Sequence, residues 1–281
     1  MPYRILAATD GSRSAHAAIA TALAFPWPDP SRARGVVALG RVAPALAPTL
    51  RTAAVRSLYQ EVEPTRRLLA RRWPDADVVA LHDSPAEGIL AEARRFRADA
   101  IALGWRGHGA VRRLLAGSVS RTIVARAARP MLVARTAARE VRRLILGFDG
   151  SPGARRAARF VGRLEPERDR VAIVVTVTEP LWVPRVTRRF PSGKRGSLRS
   201  EAIRLNRQRA RRAHDQAEAA AWKLRRAGWF ARAVVRKGAA LETLLAACTE
   251  LNGDVLVVGN PAGSVSVGAL NHSRIPVLIV P

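Results

Sequence analysis

A chain of 281 residues with 48% apolar side chains has the length for two domains of about 100–200 residues each, and its composition excludes wholesale disorder. No apolar run approaches the roughly 18 residues of a membrane span, Met1-Pro2-Tyr3-Arg4-Ile5 has no signal-peptide layout, and the one cysteine, Cys248, excludes an internal disulfide. No Cys/His cluster has zinc-ligand spacing, so a cytoplasmic protein held by its core is expected, with 48 basic against 22 acidic residues giving a net charge of +26.

In chain order, the apolar run 5–9 reads as a strand. Ser12 or Ser14 then caps an alanine-rich helix that ends near Phe25, stopped by Pro26 and Pro28. A second strand is expected over 36–42, broken by Ala43-Pro44. A long helix follows over about 50–73, with Leu58, Val62, Leu68 and Leu69 among its apolar positions and Pro64 beginning or kinking part of it. The third strand is 78–81. Ser84-Pro85-Ala86-Glu87 has the form of a capping box with proline at the first helical position, opening a helix to Arg97. Residues 101–103 and 130–134 supply a fourth and a fifth strand.

The chain then repeats itself. Residues 5–12 return as 144–151, each ending in Asp-Gly-Ser, and 78–104 align without a gap onto 233–259. Gly117-Ser118-Val119-Ser120 returns as Gly263-Ser264-Val265-Ser266, and Pro130-Met131-Leu132-Val133 as Pro276-Val277-Leu278-Ile279. The expected domains are therefore 1–138 and 139–281, with a short linker at the seam over 135–143. Apolar strands joined by helical crossovers imply a parallel sheet between two helix layers. The fold class is α/β: two tandem doubly wound, Rossmann-like domains of five strands in the order 3-2-1-4-5, packed as a pseudo-two-fold pair.

In such sheets ligands bind beyond the carboxyl ends of the strands where the strand order reverses. Here that point lies between the first strand, ending at Thr9-Asp10, and the fourth, ending at Gly104. After Gly104 come Trp105-Arg106-Gly107-His108-Gly109 and then Gly117-Ser118-Val119-Ser120, which opens the next helix. Glycines let backbone N–H groups approach phosphate oxygens, and a helix N-terminus adds donors and a favourable dipole. Ser118 and Ser120 add hydroxyls and Arg106 a charge. Asp10, opposite, suits ribose hydroxyls or a metal that accompanies phosphates.

The spacing Gly104-x2-Gly107-x9-Gly117-Ser118, with the Asp-Gly-Ser after the first strand and the Arg-Pro-Met-Leu-Val ending, resembles the universal stress protein family in its ATP-binding branch, in tandem form. The resemblance implies an ATP-binding fold whose domains pair through their fifth strands, and a regulatory or signalling role in stress response. It implies that Ala8, Thr9 and Asp10 line the site, with Asp10 near ribose or Mg2+, and that Val42 receives adenine through its backbone. Leu103, Gly104, Arg106, Gly107, Gly117, Ser118, Val119 and Ser120 would hold ribose and phosphates. The second repeat departs from this pattern: 13 positions separate Gly104 from Gly117, but only 4 separate Gly259 from Gly263, with Asn260-Pro261-Ala262 between. One strong nucleotide site per chain is expected, in the first repeat, with the second repeat a structural partner or at most a weak anion site.

No Gly-Lys-Ser/Thr loop, no nucleophile with a base and no dense carboxylate cluster marks a hydrolytic centre. Slow ATP hydrolysis, or a nucleotide-hydrolysing or nucleotidyl-transfer enzyme of related fold, is the alternative. Of the basic residues 45 are Arg, which is either a diffusely solvated surface or one that meets anions. The densest run, bounded by Arg185 and Arg212, holds eleven basic residues and one acid, Glu201, in 28 positions. It reads as a solvated loop merging into a helix over 198–226, or as a patch for an acidic partner or nucleic acid. His16, His82, His214 and His272 share no metal spacing, and His108 is open between phosphate contact and solvent. Cys248 and the six tryptophans are expected in packing roles. Two fused domains satisfy the family's pairing within one chain, and a homodimer of such chains is left open.

Overall fold

The computed structural model describes residues 1–38, 48–81, 84–105, 118–167, 169–181 and 192–281. The first half runs β1 (Tyr3–Thr9), α1 (Arg13–Ala24), β2 (Ser31–Ala38), α2 (Pro48–Gln60), α3 (Val62–Ala70), β3 (Asp77–Leu81), α4 (Pro85–Arg95), β4 (Ala100–Gly104), α5 (Ser118–Arg126) and β5 (Met131–Ala134). The second half repeats it as β6 (Arg143–Gly147), α6 (Pro152–Val161), β7 (Val171–Thr178), α7 (Ser192–Arg226), β8 (Phe230–Lys237), α8 (Ala240–Glu250), β9 (Val255–Gly259), α9 (Ser264–His272) and β10 (Val277–Val280).

Each half has the expected order 3-2-1-4-5, but the two do not form separate sheets. They join edge to edge in one ten-stranded sheet, β3-β2-β1-β4-β5-β10-β9-β6-β7-β8, in which only the β5–β10 pairing is antiparallel. Alternation along the strands sends side chains to two faces. Ile5, Ala7, Leu132, Leu144 and Leu278 lie in one apolar cluster with residues of α1, α3, α6 and α7. Leu6, Ala8, Met131, Ile145 and Ile279 lie in the other with residues of α4, α5, α8 and α9. Both clusters run through both halves, so the sheet and its two helix layers are continuous across the seam.

Four expectations from the sequence change. β2 starts at Ser31, not 36, because Arg32 and Arg34 interrupt the apolar run yet still pair with β1 and, through Arg34, with β3. The long helix divides at Glu61, and Pro64 sits in the first turn of α3, where its missing N–H costs nothing. Ser84 does stand at the N-terminus of α4 with Pro85 behind it, but no side-chain cap forms; Glu87 is drawn away to an ion pair with Arg126 of α5. The helix expected over 198–226 begins at Ser192, which turns part of the supposed basic loop into helix. The linker is tied down: Arg135 Nη2 donates to the carbonyls of Leu270 and Asn271, both at 2.6 Å, and Ala138 N–H donates to Thr21 Oγ1 at 3.0 Å.

Candidate functional site

The crevice floor is the paired ends of β1 and β4, where Ala8 and Leu103 stand side by side. Beyond Thr9 the chain turns sharply. Thr9 Oγ1 accepts from Gly11 N–H at 3.0 Å, Asp10 Oδ1 accepts from Ser12 N–H at 3.0 Å, and Gly11 has φ +76°, a left-handed conformation that glycine adopts without strain. Ser12, rather than Ser14, caps α1 by accepting from Ala15 N–H at 3.3 Å. The N-terminus of α1 therefore faces the crevice with Asp10 beside it.

Gly104 is fixed by packing. A Cβ built there would lie 2.6 Å from Ala15 N and 2.7 Å from Ser14 Oγ, so any side chain would push α1 off the sheet. Ser120 Oγ donates to the Gly104 carbonyl at 2.6 Å, which pins the first turn of α5 to the end of β4. An α-helix leaves the N–H groups of that turn without intrahelical partners, and Val119 and Ser120 carry two of them. The Ser120 hydroxyl proton is thus committed to the fold. The residues Ala8, Thr9, Asp10, Leu103, Gly104, Ser118, Val119 and Ser120 all fall at the ends of β1 and β4 or in the first turn of α5. Val42, Arg106, Gly107 and Gly117, with His108, lie outside the described residues.

One residue at this turn escaped the sequence reading. A Cβ on Gly11 would lie 3.0 Å from Glu61 Cδ, so the Glu61 carboxyl group stands over the Asp10–Ser12 turn, and its Oε2 is 3.7 Å from His16 Nε2. In the second half Gln216 takes this place over Gly150, where a Cβ would lie 2.5 Å from its Oε1. Glu61 and Gln216 differ by the same 155 positions that align 78–104 with 233–259; that offset is the signal that could have found them.

The second half rebuilds the same frame. Asp149 Oδ1 accepts from Ser151 N–H at 2.9 Å, Gly150 has φ +76°, and Ser266 Oγ donates to Gly259 O at 2.6 Å. A Cβ on Gly259 would lie 2.2 Å from the Gly153 carbonyl carbon. Its loop is shorter in sequence, with 3 residues between Gly259 and Gly263 against 12 between Gly104 and Gly117. Asn260 has φ +59°, and Gly263 N–H closes back on Asn260 O at 2.9 Å, so the chain enters α9 through one tight turn. Among the described residues no group of three or more His, Cys, Asp or Glu could hold a metal ion, and no helix is long and apolar enough to cross a membrane.

A doubled, doubly wound α/β sheet joined through its fifth strands defines a tandem Rossmann-like protein. The model of the universal stress protein family matches residues 1–135 and 140–281, and the chain belongs to that family. It is 35% identical over 133 residues to a universal stress protein of Thermus aquaticus encoded beside a sulfhydrylase, an alignment covering 47% of this chain and 97% of that one. A solved universal stress protein from Archaeoglobus fulgidus superposes over 98% of this chain and 97% of its own, with TM-score 0.63 at 15% identity, a likeness of fold. Another solved member, in complex with cAMP, covers 48% of this chain and 98% of its own at 17% identity and TM-score 0.38.

Proposed function

We propose that the chain binds one adenine nucleotide, ATP with Mg2+, in the first-half crevice and serves as a stress-response regulatory module. The observation that carries this reading is the contrast between two frames built from the same contacts. Both halves keep the Asp-Gly-Ser turn, the packed glycine at the fourth strand's end and the serine that pins the next helix. Only the first has 12 residues between its two glycines where the second has 3, and only that length can wrap a triphosphate. In this reading Val42 receives adenine, Asp10 meets ribose or Mg2+, and Arg106, Gly107, Gly117, Ser118 and Val119 hold phosphates, with Ala8, Thr9, Leu103 and Gly104 as the floor. Ser120 contributes its backbone N–H, since its hydroxyl serves Gly104. A single carboxylate suits Mg2+, which keeps its remaining positions for water and phosphate oxygens. Mass spectrometry of small molecules released from the purified protein tests the proposal. Adenine nucleotide at one per chain is expected, lost from Asp10→Ala and Gly117→Ala; two equivalent sites, or unchanged retention by both variants, would overturn it.

A second reading concerns α7. Among its described residues the buried ones, Ala217, Ala220, Ala221 and Leu224, lie in its last third, while Arg204, Arg207, Arg209, Arg211 and Arg212 are exposed on the preceding turns. We propose that this basic arm binds nucleic acid. Neutralising phosphates releases counterions, so affinity should fall steeply with salt; salt-insensitive binding in a gel-shift titration would exclude it.

A further inference from the structure

Glu61 lies between α2 and α3, and its side chain makes no capping bond to α3. Its carboxyl group reaches instead to the turn that opens α1: a Cβ on Gly11 would lie 3.0 Å from its Cδ and 3.2 Å from its Oε1. Asp10, on the same turn, is the carboxylate that the nucleotide reading places in the crevice. Two acidic side chains therefore meet one three-residue turn at the carboxyl end of β1. Glu61 is two-thirds buried, so water and salt screen its charge less than at an open surface.

The second half shows that the fold does not need this charge. Gln216, an amide of the same length, stands over Gly150, where a Cβ would lie 2.5 Å from its Oε1. His16, whose Nε2 is 3.7 Å from Glu61 Oε2, has Arg155 as its counterpart. The two occupy the same step of α1 and α6: His16 N–H donates to Ser12 O and Arg155 N–H to Ser151 O, both at 3.0 Å. The half with the long glycine-spaced segment thus sets a carboxylate over its turn, and the half with the short loop sets a neutral amide there.

A carboxylate at this point repels a ligand anion in proportion to the ligand's charge. A metal-free triphosphate carries about four negative charges and its Mg2+ complex about two, so the metal-free form is repelled about twice as strongly. The net charge of +26 draws in the more highly charged form, and Glu61 opposes that preference at the site itself. We propose that Glu61 is a specificity-determining residue of the first-half crevice, which makes it take the Mg2+ complex of the nucleotide over the metal-free form. This rests on the nucleotide reading above and adds to it the form of the ligand that binds.

Calorimetric titration of the full chain with ATP, once in excess Mg2+ and once in EDTA, tests the proposal on the wild type, Glu61→Gln and Glu61→Asp. Glu61→Gln uses the side chain that the second half already holds in this place, so the frame accepts it. The expected result is that Glu61→Gln binds metal-free ATP about tenfold more tightly and Mg2+–ATP only about threefold more tightly. Glu61→Asp, which keeps the charge, should keep the wild-type preference. The gain in Glu61→Gln should shrink in about 1 M salt, where the Debye length is about 3 Å. Unchanged affinities in Glu61→Gln, equal gains for both forms, weaker binding of Mg2+–ATP, or gains that persist in high salt would each overturn the proposal, as would Glu61→Asp behaving like Glu61→Gln. A wild-type chain that binds ATP in neither condition would overturn the nucleotide reading itself, and this proposal with it.

Discussion

Gly104 and Gly259 occupy matching points where a strand end meets the backbone of a helix's first turn, Ser14–Ala15 and Gly153–Ala154. At each the nearest neighbour is a backbone atom, Ala15 N or the Gly153 carbonyl carbon, which cannot swing aside as a side-chain tip would. Overpacking of this kind costs about 1–3 kcal/mol. Gly104→Ala and Gly259→Ala should therefore both lower stability by about that amount or more in urea denaturation, with and without ATP. A loss at Gly104 alone, seen only with nucleotide present, would make that glycine a ligand contact instead of a packing contact. Cys248 tests packing through its chemistry. Burial pushes its thiol up to about 12, so the thiolate that reacts is scarce in the folded protein. Alkylation at pH 8 should be slow until denaturant opens the chain. The linkage follows the same sign: above about pH 9 the unfolded thiol loses its proton while the folded one keeps it, so this group's contribution to stability declines from there toward pH 12.

Arg34 shows how elements are tied together by a residue that hid β2 from the sequence reading. Its Nε lies 2.9 Å from Asp77 Oδ1 on β3, and its Nη1 lies 2.6 Å from Glu92 Oε1 on α4, a carboxylate only 4% exposed. Breaking a fully buried pair from one side strands the other charge and costs about 3–5 kcal/mol, whereas replacing both partners by apolar groups can be nearly neutral. Here Arg34 is a quarter exposed and Glu92 keeps Arg95 Nη1 at 3.7 Å, which sets the cost at the low end of that range or below it. Arg34→Met should accordingly unfold at lower urea, and adding Glu92→Leu should restore most of the loss; equal or additive losses would show that the pair carries little. The same pairing explains what was legible. Apolar runs located β1, β4 and β5, which are buried from Ile5 to Thr9, from Ala100 to Leu103 and from Met131 to Ala134. They misplaced the start of β2 because Arg32 and Arg34 find partners far off in sequence. The capping pattern at Ser84 was readable as a helix start, and its Ser84–Glu87 reciprocity was not, since Arg126 competes for Glu87. At the crevice, the Asp10–Ser12 turn and the Ser120 helix start were visible as motifs. Glu61 over Gly11 was not, because nothing local to α2 or α3 marks it.

The seam decides what the whole molecule can be. Across it Leu132 pairs with Leu278, flanked by Met131 with Ile279 and Val133 with Val277. By the internal repeat Leu278 is the counterpart of Leu132, Val277 of Met131 and Ile279 of Val133, so the centre of the joint pairs a residue with its own equivalent. That is the register of a two-fold interface between identical domains, here made within one chain. Residues 131–134 are buried to the last, and cutting the chain after 138 would leave β5 as an uncovered apolar edge with unpaired backbone groups, a template for another strand. The fragment 1–138 should therefore pair with its own copy, Met131 opposite Val133 about a Leu132–Leu132 centre, and sediment as a dimer. Leu132→Arg places charge on both sides of that centre and should convert the fragment to monomer or aggregate. A fragment that stays monomeric and folded with its native Leu132 would show that β10 supplies something a second β5 cannot, and that the duplication has diverged beyond exchange.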